Sequence, residues 1–123
     1  MAYGWKQNEI RQLISCARPI GRANGFDLKL APSTTASHRL VVVVPKKIGS
    51  APVRNRCKRR FREIFRIVTP ALPFAVDLII FVRSGDVATA PFDELRALVD
   101  KSLQRALQLF PEQSTPIPPN TKL

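Results

Sequence analysis

The feature that most constrains this fold is the spacing of the apolar residues between positions 53 and 68. They recur at helical spacing and gather on one face at about 100° per residue. These residues are Val53, Cys57, Phe61, Ile64, Phe65 and Val68. Ser50 suits the N-cap, Pro52 suits the first turn, and the helix should end before Pro70. The segment therefore predicts an amphipathic helix whose apolar face packs on a core.

The opposite face of this helix carries most of the chain's excess charge. The sequence has 20 Lys and Arg against 9 Asp and Glu, a formal net charge of +11. Eight basic residues and no acid lie between positions 46 and 62. Like charges at i, i+4 spacing cost about a few tenths of a kcal/mol per pair, so an uncompensated face of this kind indicates an anionic partner. Arginine forks favour the phosphate backbone of a nucleic acid.

A solvated surface or a lipid-binding surface would account for the basic residues less well. A plain solvated face usually mixes both signs of charge, and this one does not. A lipid surface would need the apolar face of the helix, which packing on the core already uses. Charge alone does not separate RNA from DNA.

The remaining segments predict two further helices and three or four strands. Helices are expected at 8–17, with Asn8 as N-cap, and at 90–110. The inward residues of the second are Phe92, Leu95, Leu98, Val99, Leu103, Leu107 and Phe110. Strands are expected at 18–22, 26–30, 39–45 and 75–82. The β-branched run at 39–45 is the expected central strand.

This order of elements predicts an α+β fold, a two-layer α/β sandwich in which a mixed sheet of about four strands has its helices mainly on one face. The strand at 39–45, the basic helix and the strand at 75–82 would form a parallel βαβ unit, which is right-handed as a general rule. Residues 1–110 are expected to form one domain. Four prolines among residues 111–123 predict a disordered tail.

The sequence offers little for catalysis or for a membrane. The single histidine, His38, lies in a polar loop and is interpreted as an ordinary surface residue. Cys16 and Cys57 fit no zinc spacing, which indicates a reducing cytoplasm. No apolar run approaches the roughly 20 residues of a membrane span. We therefore expect a soluble protein with no catalytic residue and no metal site of its own.

The segment "KKIGSAPVRNRCKRRFRE" resembles the signature of the protein subunit of bacterial ribonuclease P. The match is carried by Lys46, Lys47, Gly49, Ala51, Arg54, Asn55, Arg56, Lys58, Arg59, Arg62 and Glu63. It extends more loosely from the first helix to about residue 109. The proline-rich tail lies outside it.

The resemblance implies a ribonucleoprotein enzyme that removes the 5′ leader of precursor tRNA, with Mg²⁺ held mainly by the RNA subunit. The protein would assist this cleavage in the cytoplasm. It would bind no membrane and need no obligate protein partner. Its implied RNA-binding residues are Lys46, Lys47, Arg54, Asn55, Arg56, Lys58, Arg59 and Arg62. Similar proteins hold the leader between the first helix and the sheet and have a left-handed βαβ crossover.

This chain departs from the family pattern in the leader cleft. Ile10 and Ile14 stand where similar proteins usually have phenylalanines. Isoleucine gives apolar contact but not aromatic stacking, which contributes about 1–3 kcal/mol per base. Two other functions stay open at this point: a general structured-RNA-binding or ribosome-associated protein, and a nuclease that acts alone.

Overall fold

The computed structural model describes residues 6–23, 25–33 and 37–109. Within these residues the chain forms three α-helices and four β-strands in the predicted order αβββαβα. The elements are α1 (Gln7–Cys16), β1 (Arg18–Ala23), β2 (Phe26–Pro32), β3 (Arg39–Val43), α2 (Ala51–Val68), β4 (Val76–Val82) and α3 (Phe92–Leu109). Short 3₁₀ turns span Lys46–Ile48, Thr69–Ala71 and Gly85–Ala88. The predicted tail, 111–123, lies outside the described residues, as does Phe110.

The four strands form one mixed sheet in the order β1-β2-β4-β3. β2 pairs antiparallel with both β1 and β4, whereas β3 pairs parallel with β4. The prediction of a central strand at 39–45 is therefore wrong, because β3 lies at the edge and β4 is central. In β3, Val41 and Val42 are buried on opposite faces of the sheet. A run of apolar residues indicates that both faces of a strand are buried. It does not indicate whether the strand pairs with one neighbouring strand or with two.

One face of the sheet builds the main core with α2 and α3. Leu28, Leu30, Leu78 and Ile80 point into it from the two inner strands. From α2, the Phe61 ring packs on Phe26 with centroids 4.9 Å apart. Cys57, Ile64 and Val68 of α2 are also buried there, which confirms the amphipathic helix. The covered face fixes the outward direction of the basic side chains.

Among the described elements, α1 is the helix that packs on the opposite face of the sheet. Leu13 packs there on Ala31, Val41 and Ile79. The prediction of helices mainly on one face is thus confirmed, with α1 as the exception. The part of this face beyond α1 carries side chains that bear on the functional site.

Two details of the helices differ from the prediction. The N-cap of α1 is Lys6 rather than Asn8, and the Lys6 backbone N–H donates to Glu9 Oε1 at 2.9 Å. In α3, Leu98 is 38% exposed, and Ala106 joins the buried residues instead. Leu98 lies about 100° around the helix from the centre of the stripe formed by Leu95, Val99, Leu103 and Ala106, which is too far to reach the core.

The strands β3 and β4 and the helix α2 between them form the expected parallel βαβ unit. Ser50 is the N-cap residue of α2, and its carbonyl accepts the N–H of Arg54 at 2.9 Å. The left hand of this crossover stays a prediction that the family resemblance implies. Among the described helices, none is both long and apolar enough to cross a membrane.

Candidate nucleic-acid interface

The outer surface of α2 and the turn before it present the predicted RNA-binding residues together. We call this set the basic face: Lys46, Lys47, Arg54, Asn55, Arg56, Lys58, Arg59 and Arg62. Five of these side chains are exposed and three, Arg54, Lys58 and Arg62, are half-buried on one flank of the helix. The buried residues of α2 are all apolar and pack on the core, so the basic residues lie on the remaining surface of the helix.

Three arginines of the basic face, Arg54, Arg56 and Arg59, form no ion pair with an acid that the structure describes. Glu63, the only acid of α2, pairs with Arg66, which lies outside the basic face. The local repulsion favours binding of external phosphate groups.

The arginines on the flank toward α3 also hold backbone carbonyls. Arg56 Nε donates to the Ala88 carbonyl at 2.6 Å, and Arg60 Nη1 donates to the same oxygen at 2.6 Å. Arg60 Nη2 donates to the Ala90 carbonyl. Burial, with the neighbouring Arg56 as a second cause, lowers the pKa of Arg60. These bonds hold α2 against the connection that leads into α3, a structural role that the local sequence pattern does not indicate.

Arg54 is also held in place, at the start of α2. Its Nε donates to the Gly49 carbonyl at 3.2 Å. The side chain therefore lies against the turn between Lys46–Ile48 and the helix.

The predicted cleft residues lie on the other side of the sheet. Ile10 packs against the small cluster under α1, and Ile14 is 37% exposed. The structure adds Phe81 of β4, a half-buried ring on the same sheet face, with Lys29 Nζ at 5.7 Å from its centroid. Phe81 follows Ile79 by two positions, so strand alternation was the signal that could have found it.

An open depression of about 520 Å³ adjoins Phe81. Its lining is strongly basic: Arg22, Lys29, Lys47 and Arg83 contribute, with Asp27 as the acid. Asp27 pairs with Arg83 at 2.9 Å and with Arg22 at 3.3 Å. Lys47 belongs to both this depression and the basic face. The two cationic surfaces therefore meet at the end of β3.

A buried ion pair joins the two parallel strands near α1. Arg39 Nε and Nη2 donate to Asp77 Oδ1 and Oδ2 at 3.0 and 2.9 Å. Asp77 is only 3% exposed. The hydrogen bonds to this carboxylate raise the pKa of Arg39. The pair fixes β3 beside β4 and so holds one wall of the cleft.

The interpretation of His38 as an ordinary surface residue is wrong. Its Nδ1 accepts the backbone N–H of Val76 at 3.2 Å, and its ring meets Phe65 edge-on with centroids 6.2 Å apart. Burial lowers the pKa of His38. A neutral imidazole thus joins the loop before β3 to the first residue of β4.

Clusters of metal-ligating side chains are absent from the described residues. No group of three or more His, Cys, Asp or Glu side chains is arranged to hold an ion there.

Together, the fold and the site define a class of protein: a small α+β protein that presents a continuous cationic helix face. The family model described as Ribonuclease P matches residues 6–107. The ribonuclease P protein component of Chloroflexus aggregans is 34% identical over 92 residues, which is 75% of this chain and 68% of the relative.

Solved structures show the same fold. The RNase P protein of Thermotoga maritima superposes with a TM-score of 0.69 at 24% identity, over 80% of this chain and 92% of the other. The RNase P protein of Staphylococcus aureus gives a TM-score of 0.68 at 21% identity, over 83% and 92% of the two chains. The chain belongs to the ribonuclease P protein family. It is the protein subunit of an endoribonuclease complex and functions with ribonuclease P RNA.

Proposed function

We propose that the basic face binds the RNA subunit of ribonuclease P and that the cleft between α1 and the sheet binds the 5′ leader of precursor tRNA. In this proposal the RNA subunit carries out the hydrolysis with Mg²⁺ that it mainly holds itself. The protein assists by binding both RNAs. It acts in the cytoplasm and needs no obligate protein partner.

The observation that carries the first part is that Arg54, Arg56 and Arg59 form no ion pair with a described carboxylate, on a helix whose inner face is buried. Arg54 and Arg56 are held by backbone carbonyls rather than by carboxylates, so their full charge stays available to phosphates. Guanidinium groups fixed in this way lose little conformational entropy when they bind. Lys46 and Lys47 extend the same charge beyond the helix.

The sheet surface beyond α1 supports the second part. A single strand needs cations for its backbone and flat or apolar surfaces for its bases. Lys29, Lys47 and Arg83 supply the cations, and Phe81 supplies a ring. Ile10 and Ile14 add apolar contact from α1. We propose that Phe81 takes over part of the stacking that phenylalanines on α1 provide in similar proteins.

Reconstitution with the cognate catalytic RNA tests the proposed function. At low Mg²⁺ the chain should promote 5′ leader removal, because its cations neutralise phosphate repulsion that Mg²⁺ would otherwise have to offset. The measurement is the rate of leader release from precursor tRNA with and without the protein, together with affinities for two unrelated structured RNAs.

Three outcomes would contradict the proposal in different ways. A rate that the protein does not raise removes the assisting role. Equal affinity for all structured RNAs, without an effect on processing, would favour the general RNA-binding protein instead. Cleavage by the protein without the RNA subunit would indicate a nuclease that acts alone.

A further inference from the structure

An open pocket lies between α2 and the start of α3, on the flank of α2 that faces away from Arg54 and Lys58. Its volume is about 430 Å³, and its lining residues are Arg56, Arg59, Arg60 and Phe92. Three guanidinium groups and one aromatic ring therefore share one opening. The pocket lies on the opposite side of the sheet from the cleft proposed for the leader.

No acid is among the described residues that line this pocket. Among the described carboxylates, none forms an ion pair with Arg56, Arg59 or Arg60. Arg56 and Arg60 are spaced i, i+4 on α2 and repel each other. A bound anion would remove this repulsion and would accept hydrogen bonds from several N–H groups at once.

Two of the three guanidinium groups are positioned in advance. The carbonyls of Ala88 and Ala90 hold Arg60 through both of its Nη atoms. Arg56 uses its Nε for Ala88, and within the described residues its two Nη groups have no partner. Arg59 is exposed and makes no hydrogen bond within the same residues. Arg56 and Arg59 thus have donors available for a ligand.

The aromatic residue decides what kind of anion fits. Phe92 is half-buried, since it packs on the main core and also lines the pocket. A bare phosphate would gain nothing from the ring, whereas a nucleotide would gain from both features. Base stacking on an aromatic side chain contributes about 1–3 kcal/mol, and unstacked bases are the usual targets of RNA-binding proteins.

We propose that this pocket binds one unstacked nucleotide of an RNA, with its phosphate on Arg56 and Arg59 and its base against Phe92. The inference rests on the proposed function in one respect: the nucleotide belongs to the same RNA that the basic face binds. It adds a stacking contact with a base to an interface that otherwise consists of cations and Asn55. Phe92 acts here as a binding residue for the RNA partner.

Titration of the free protein with mononucleotides tests the pocket. Adenosine 5′-monophosphate should shift the NMR signals of the Arg56 and Arg60 Nε–H groups and of the backbone amides at positions 88–90 and 92. It should bind about 5- to 150-fold more tightly than ribose 5-phosphate, which corresponds to the stacking contribution of about 1–3 kcal/mol. The Phe92→Leu variant should reduce this preference to below about threefold.

Matched variants separate the ring from the charge. Arg59→Gln should weaken both ligands by the same factor, whereas Arg96→Gln, which removes an exposed arginine of α3, should change neither affinity. Phe74→Leu changes another half-buried phenylalanine that packs on the same core, and it should leave the preference for the nucleotide intact.

Equal binding of the two ligands would overturn the proposal and leave a phosphate site only. Signal shifts confined to other parts of the chain would overturn it as well. The titration contains no catalytic RNA, so its result is independent of the reconstitution. If the protein assists cleavage but does not bind the nucleotide, only the pocket proposal is wrong. If the protein binds the nucleotide but does not assist cleavage, the proposed function is wrong.

Discussion

His38 shows how one residue can couple a loop to the sheet. Its Nδ1 must be unprotonated to accept the N–H of Val76, so the contact requires the neutral imidazole. The sequence alone does not predict this contact, because a single histidine in a polar loop does not indicate which backbone group it hydrogen-bonds. The acceptor contact joins residues 38 positions apart.

The lowered pKa of His38 predicts a dependence of stability on pH. In the unfolded chain the group titrates near 6.5, and in the folded chain it titrates below that value. The unfolded state therefore binds the proton first, and the free energy of unfolding should fall as the pH drops below 6.5. The loss should level off below the folded pKa, apart from the titration of carboxylates.

Urea unfolding between pH 8 and pH 5 measures this effect. The His38→Gln variant keeps a side-chain acceptor without a titratable group, so its free energy of unfolding should change less over the same range. A variant with the pH dependence of the parent protein would show that His38 is not the group responsible.

Phe81 carries the residue-scale prediction for the leader cleft. Phe81→Ala should weaken binding of precursor tRNA with a leader by about 5- to 150-fold, the equivalent of about 1–3 kcal/mol for one stacked base. Mature tRNA, which has no leader, should bind with unchanged affinity. Affinities measured by fluorescence anisotropy would decide, and equal losses for both RNAs would place the role of Phe81 outside leader binding.

At the scale of elements, α2 is where sequence and structure agree best. The apolar spacing predicted the buried face, because a helix that packs on a sheet can bury only side chains that share a stripe. The roles of individual arginines were less accessible. Arg56 and Arg60 bind carbonyls of Ala88 and Ala90, which come from a different part of the chain. No local pattern specifies such distant partners.

The lysines of the basic face give the cleanest test of phosphate binding. Lys46, Lys47 and Lys58 hold no backbone carbonyl in the described structure, unlike Arg54 and Arg56. Replacing all three by Ala should weaken binding to the catalytic RNA at least about tenfold. The slope of log affinity against log salt should shrink by about 2–3, near one unit for each phosphate group that the protein no longer neutralises.

A charge-matched variant controls for the loss of net charge. Arg96, Lys101 and Arg105 are exposed residues of α3, outside the basic face. Their replacement by Ala also removes three positive charges, yet it should change the salt slope by less than about one unit. Equal slope changes in the two variants would mean that only overall charge matters.

At the scale of the whole molecule, the elements were easier to predict than their arrangement. Helix and strand periods are local, so all seven elements could be recognised, with small errors at their ends. Strand order is set by long-range pairing. The 39–45 and 75–82 segments are both apolar, and nothing local indicated that β3 would be an edge strand while β4 would lie between β2 and β3.

The candidate site divides in the same way. The basic face could be predicted because its residues follow one another along the chain. The cleft surface combines Lys29, Lys47, Phe81 and Arg83 from separate segments, so it became visible only once the sheet was assembled. The buried pair of Arg39 and Asp77 is likewise a product of the parallel pairing of β3 with β4.

The alternation along β4 restricts how this protein can evolve. Leu78 and Ile80 build the interior while Ile79 and Phe81 form the floor on the other side. Loss or gain of one amino acid within the strand would exchange the two sets and damage both surfaces together. Natural variation in the floor should therefore arise by single replacements at fixed strand length, and length changes should be confined to the connecting loops.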